Sequence, residues 1–205
     1  SVTIEAVKES VELDIPKLKD PAQFFKDVTP AFKELVKGIA ESQKAAARRL
    51  KTMPLREIGL AFHNYHDTFN GFPSYCTAKS DGGENKGLSW RVHLLPYYGE
   101  SVLYQEFHLD EPWDSDHNRT LIERMPKIYE CEGVEKPGHT SFHVFTGEGT
   151  PFGNVEPLGI SSITDGTSNT IMVVQAGPDK ADIWTKPSGI KFNPEASKAA
   201  LGKLA

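Results

Sequence analysis

Residues 30–69 read PAFKELVKGIAESQKAAARRLKTMPLREIGLAFHNYHDTF, and the fold turns on this stretch. Apolar side chains recur at Phe32, Leu35, Val36, Ile39, Ala46, Leu50 and Met53, the 3.6-residue period of an amphipathic helix. The row resumes after Pro54 with Leu55, Ile58, Phe62, Tyr65 and Phe69. Thr29 is placed to cap the first turn, and the fixed φ of Pro30 suits the position after it. Pro54 removes a donor from the hydrogen-bond ladder. The spacing therefore predicts a helix over 30–69, kinked or broken near Pro54 and ended by Gly71-Phe72-Pro73. At a rise of about 1.5 Å per residue it would run roughly 60 Å, more than a domain of this size can cover.

Working outward, residues 1–29 read as an extension. Val2 and Ile4 suit an edge strand, and Asp20-Pro21-Ala22-Gln23 carries the signature of a helix start, with Asp20 as N-cap. Residues 30–205 read as one α+β domain: the helix 30–69, a region of short helices and loops over 72–126, and a sheet region over 127–190. Within it Lys79–Gly87 is an exposed loop. Trp90, Leu94, Leu95 and Tyr98 sit at helical spacing closed by Gly99, Ser101 can cap a short helix carrying Leu103 and Phe107, and 117–125 suit a third. Strands are expected at Lys127–Cys131, Thr140–Thr146, Thr170–Ala176 and Asp182–Lys186, forming an antiparallel sheet.

The chain has 205 residues, 38% of them hydrophobic, with 23 basic against 28 acidic side chains and two Cys. Two Cys exclude a disulfide-built miniprotein and a Cys-rich zinc module. Between Glu100 and Glu135 ten acids face three bases, a surface that repels nucleic acid, so no nucleic-acid partner is expected. The longest stretch without charge, Gly166–Pro178, has 13 residues, short of the roughly 20 that a membrane span requires. The first ten residues, SVTIEAVKES, lack the apolar stretch of a signal peptide.

From Leu55 the chain resembles a known family. The blocks are LREIGLAFHNYHD (55–67) with Gly71-Phe72-Pro73, SWRVHLLPYY (89–98), LYQEF (103–107), LDEPWDSDHN (109–118), MPKIYEC (125–131), ITDGTSNTIMVV (163–174) and WTKP (184–187). They are similar to a large family of secreted proteins expanded in planctomycetes. That family is catalogued as a domain of unknown function and also under a bacterial solute-binding label. The resemblance covers roughly residues 45–190. It implies a pilin-like or pseudopilin-like fold, with a sheet packed on the far half of a long helix, and an extracytoplasmic location. Three departures are visible. The helix zone 30–53 carries Lys33, Glu34, Lys37, Glu41, Lys44, Arg48 and Arg49, which makes it soluble rather than membrane-borne. Lys51-Thr52-Met53-Pro54 stands where the family commonly has a Cys, and the family's closing strand is missing after Pro187.

Several constellations bear on chemistry. His63 and His66, with Asp67, lie three apart on the helix and suit either a metal site or a structural role at a helix C-terminus. In the structural role both should have protein hydrogen-bond partners rather than point into a pocket. Asp110, Glu111, Asp114 and Asp116 form the densest carboxylate cluster. Asp110, Asp114 and Asp116 are candidate calcium ligands, a choice helped by the calcium loop of some pseudopilins, but the spacing is not an EF-hand and a solvated turn is the competing reading. Thr164-Asp165-Gly166-Thr167-Ser168-Asn169-Thr170 reads as turn chemistry, since Ser168 lacks a nucleophile elbow. His139 and His143 would share the wetter face of a strand. In an exported protein Cys76 and Cys131 either pair or remain thiols; pairing would contribute about 4 kcal/mol through loop closure.

The expectation is a non-enzymatic, extracytoplasmic structural or assembly protein without a cofactor, whose long helix meets a protein partner or another copy of itself. The alternative is a binding module for a small solute or calcium ion, with a cleft lined by Trp90, Tyr97, Tyr98 and Trp113. A metal-dependent hydrolase using His63 and His66 is a third class.

Overall fold

The computed structural model describes residues 21–74, 87–152 and 158–203. Backbone contacts divide the chain into two units, Ser1–Lys51 and Thr52–Ala205. One helix, α1, runs over Pro21–Phe69 and so belongs to both. The expected start at Pro21 is found, while its expected cap, Asp20, lies outside the described residues, as do the strand expected near Val2 and most of the loop 79–87. The helix neither starts at Pro30 nor breaks at Pro54. A proline is tolerated inside a helix when the turns on both sides are held otherwise; after Pro54 the hold is the packing of Leu55, Ile58 and Phe62 on the core.

In the first unit Phe32, Leu35, Val36 and Ile39 are 51%, 59%, 50% and 49% exposed. In the second unit α1 buries Ile58, Ala61 and Phe62 completely or nearly so. Around them the chain is α+β. Two short helices follow, α2 (Trp90–His93) and α3 (Ser101–Glu106), then 3₁₀ turns at Asn118–Arg124 and Lys127–Tyr129. The strands are β1 (His139–Thr140), β2 (Phe142–His143), β3 (Phe145–Thr146), β4 (Val174–Gln175), β5 (Asp182–Ile183) and β6 (Ile190–Lys191), and a last helical turn, α4, spans Ser197–Ala200. Ser89 caps α2, accepting from the Arg91 amide, and Gly99 closes the following turn at φ 80°, as expected. Ser101 is the first residue of α3 rather than its cap, a place taken by Glu100.

Among the described residues, three two-stranded ladders stand where one antiparallel sheet was expected. β1 pairs antiparallel with β5 (His139 opposite Ile183), β2 antiparallel with β4 (Phe142 opposite Gln175) and β3 parallel with β6 (Phe145 opposite Ile190). The segment 139–146 is thus a central spine that changes partner every few residues. Of the expected strand Thr170–Ala176 only Val174–Gln175 is one. Lys127–Cys131 is no strand, because the chain turns after Pro126 to bury Tyr129, whose amide donates to the Pro126 carbonyl and whose hydroxyl donates to that of Arg91 (3.0 Å). Gly138 is required where the spine begins: it sits at φ +68°, and a Cβ there would lie 2.7 Å from the Ile122 carbonyl oxygen.

Aromatic rings build the core. The Phe62 ring lies 4.9 Å from Trp90, 5.5 Å from Phe152 and 6.3 Å from Phe72, and Tyr129 stacks on Trp184. The Trp184 indole donates to the Ile122 carbonyl at 2.8 Å. Beside them Arg91 is fully buried. Its guanidinium donates to the Phe142 carbonyl and the Ser89 hydroxyl, lies 4.7 Å from the centre of the Trp90 ring and points a donor at His143 Nδ1 (3.4 Å). With Nδ1 accepting, the neutral His143 ring donates from Nε2 to the Lys180 carbonyl at 2.9 Å. His143 is therefore buried, not on a wet face, because both ring nitrogens find partners there. His139 is only half-buried and bonds the Pro137 carbonyl.

Burial, helped by the neighbouring Arg91 charge, lowers the His143 pKa to about 4, and burial alone does the same to His93. The unfolded chain then takes up protons that the folded chain refuses. The stability due to these groups is complete above pH 6.5 and falls as the pH drops towards 4. Urea titrations across this range should show the fall, and His143→Gln should make it shallower. An unchanged slope in that variant would contradict the assignment. Separately, Phe62→Ala should cost about 3–5 kcal/mol, read from the urea midpoint.

Candidate functional site

The last turns of α1 carry both expected histidines, and the structure separates them. Asn70, at φ 54°, ends the helix with its amide on the His66 carbonyl (2.7 Å). The Ile160 amide donates to His66 Nε2 at 3.2 Å, and the ring packs against Phe72. His66 thus ties the helix end to the 160–162 turn, the structural role. His63 behaves otherwise: it makes no hydrogen bond to a described residue, meets Phe72 edge-on and lines a cleft.

That cleft has a volume of about 280 Å³. One wall is the helix row Leu55, Gly59 and His63; Phe72, Phe152 and Met172 are among the residues that face it. It is not the aromatic cleft the sequence suggested. Trp90 is wholly buried, and Tyr97, Tyr98 and Trp113 pack half-buried against the core. Burial raises the pKa of the Tyr98 phenol. Gly59 and Met172 were missed by sequence reasoning; a glycine inside an otherwise regular apolar row was the available signal. Thr167 and Thr170 reach the cleft from the 164–170 turn, where the Thr170 hydroxyl donates to the Gly166 carbonyl and the Asn169 amide group to that of Asp165. Ser168 is an exposed member of this turn.

The acidic loop is organised by a residue that no motif singled out. Asn118 is fully buried. Its Oδ1 accepts from the His108 amide (3.0 Å), and its Nδ2 donates to the carbonyls of His108 (2.9 Å), Pro112 (3.1 Å) and, more weakly, Glu111 (3.4 Å). Carbonyls converging in this way are how a loop holds a cation, and here an amide NH₂ takes the cation's place. The carboxylates of Asp110, Asp114 and Asp116 belong to exposed residues. Glu111 turns instead to His108 Nδ1 (2.9 Å), and hydrogen bonds from Ser115 and His108 hold its pKa below the usual carboxylate range. Nearby, an ion pair with Arg124 lowers that of Glu106.

The rings of His108 and His117 stack face to face, with centres 3.6 Å apart and planes 3° from parallel. Imidazole lone pairs lie in the ring plane, so stacked rings cannot aim at one ion between them. Among the described residues, no group of three or more His, Cys, Asp or Glu side chains is placed to hold a metal ion. Cys131 is a free thiol whose Sγ accepts from the Ser141 amide (3.4 Å), and Cys76 lies outside the described residues. No helix among the described residues is long and apolar enough to cross a membrane.

Residues 41–133 match the model of a family described as a protein of unknown function (DUF1559) and labelled SBP_bac_10. This is the domain-of-unknown-function family, also carrying a solute-binding label, that the sequence blocks resemble, and the resemblance holds over this segment. No curated protein and no solved structure matches the chain.

Replacing Asn118 with Ala would strand three carbonyls and one amide in the loop. The cost should be about 2–4 kcal/mol by chemical denaturation, at roughly 1 kcal/mol or more per abandoned buried group. Calcium at millimolar concentration should leave the Tm of the unaltered protein unchanged. A calcium-dependent rise of several degrees would show that the exposed carboxylates gather around the ion after all.

Proposed function

We propose that the chain is a non-enzymatic structural or assembly protein with a pilin-like plan, acting outside the cytoplasm and pairing with a second copy through α1. The observation that carries this reading is the exposed row Phe32, Leu35, Val36 and Ile39, each about half uncovered. At 100° per residue these four fall within one third of the helix circumference. Lys33, Glu34, Lys37, Glu41, Lys44 and Arg48 fall on the opposite side. Exposed apolar rows of this kind mark interaction sites. Its flanks are neutral, with Ser42 and Gln43 beside it, so no charge selects a foreign acidic or basic surface. The i, i+3, i+4, i+7 spacing is that of a helix seam and is self-complementary.

The engagement of His66, Asn118 and His143 in structural hydrogen bonds supports a role other than catalysis. The extracytoplasmic location is supported by the family resemblance.

Covering the remaining half of each side chain contributes roughly 1 kcal/mol per residue, or about 8 kcal/mol from two copies. That is of the same order as the cost of association. A lone pair of helices should therefore associate weakly. Sedimentation of the full chain from about 10 μM to 1 mM should show reversible self-association. The double variant Leu35→Glu, Ile39→Lys should abolish it while leaving the near-UV signal of the buried tryptophans intact. A monomer throughout this range, or association that survives the double variant, would overturn the reading.

A further inference from the structure

The cleft beside His63 lies within the second unit and is lined by residues of that unit. Among the described residues, its lining contains no Asp, Glu, Lys or Arg. At about 280 Å³ it lies just below the usual range for small-molecule sites, roughly 300–1,000 Å³. A peptide segment or helix does not fit such a space, and a one- or two-ring molecule does.

Gly59 is the second observation. A glycine in the middle of a helix is destabilising by roughly 0.5–1 kcal/mol relative to alanine, and such residues usually have a steric reason. Here there is none: Gly59 has no positive φ, and a Cβ built on it would meet nothing within 4 Å. A larger side chain at this position would lie in the cleft, so the missing one is what keeps the wall open.

The third is His63. Its ring stands at the cleft, exposed, next to Phe72 and without a hydrogen bond to a described residue, while His66 one turn further on is engaged. The neutral imidazole offers one donor and one acceptor. Phe72 and Phe152 provide ring faces and edges, and the Met172 thioether is a soft, adaptable contact for an aromatic guest.

We propose that this cleft binds a small uncharged aromatic molecule bearing one hydrogen-bonding group, of the phenol or indole class. The ring is inserted among Phe72, Phe152 and Met172, and the polar group is held by His63. Phosphates, sugars and ionic solutes are disfavoured, because the described lining has no Asp, Glu, Lys or Arg and few polar groups to replace their hydration.

The test uses the full chain with indole and toluene as probes, followed by ligand-observed NMR. Indole should bind saturably, and toluene, which has the ring without the donor, more weakly. Gly59→Leu should lower indole affinity at least tenfold without lowering Tm. His63→Ala should lower indole affinity severalfold and leave toluene binding unchanged. Should Gly59→Leu fail to fold, Met172→Trp gives a second way to fill the space, with the same loss expected. Absence of saturable indole binding, binding that survives a folded cavity-filling variant, or equal losses for both probes in His63→Ala would overturn the proposal.

Discussion

The interaction on which the rest of the second unit depends is the insertion of Phe62 among Trp90, Phe72 and Phe152. These four rings come from α1, the turn after it, α2 and the segment preceding 158. One side chain therefore fixes the helix against three separate stretches of chain. Aromatic pairs at 4.9 to 6.3 Å combine a large loss of exposed apolar area with favourable tilted and edge-on geometry. From Trp90 the order passes to the neighbouring Arg91 and so to the spine 139–146, which holds β4, β5 and β6 by short ladders.

Short ladders alone would be a weak scaffold, since two-residue strands contribute few hydrogen bonds. Two buried polar side chains, Arg91 and Asn118, make up for this by bonding several segments at once. Arg91 gives its donors to carbonyl, hydroxyl and imidazole partners rather than to a carboxylate, and desolvation lowers its pKa to about 10. Asn118 gathers the acidic loop in the same manner. Such groups are costly when left unpaired, so each admits few alternative arrangements of the segments around it. That is how a chain with little regular sheet specifies one fold.

The inner half of α1 was legible in the sequence because Leu55, Ile58, Phe62 and Tyr65 repeat at helical spacing and are packed as such. Gly99 was legible for the same kind of reason: a left-handed turn is local. Pro30 misled as a helix start and Pro54 as a helix break, since the penalty of a proline is local whereas the continuity of the helix is not. Lys127–Cys131 has the composition of a strand, but a single buried Tyr129 decides its conformation through contacts distant in sequence. His143 reads as a polar residue on an exposed face until Arg91 and the Lys180 carbonyl are placed beside it. The carboxylates around Asp114 drew attention through their charge, although the loop is built by the neutral Asn118. The cleft was illegible because its walls come from residues 55–63, 72, 151–152 and 163–173, and only the unexplained Gly59 hinted at it.

One helix thus has two faces of different fate along its length: covered where Phe62 anchors it, uncovered from Phe32 to Ile39. Residue-resolved hydrogen exchange on a dilute, monomeric sample tests this most directly. The account predicts that amides of 58–65 exchange only with global unfolding, while those of 32–46 exchange at least a hundredfold faster, since a helix without packing is marginal in water. Equal protection along both stretches, or faster exchange at 58–65 than at 32–46, would contradict it.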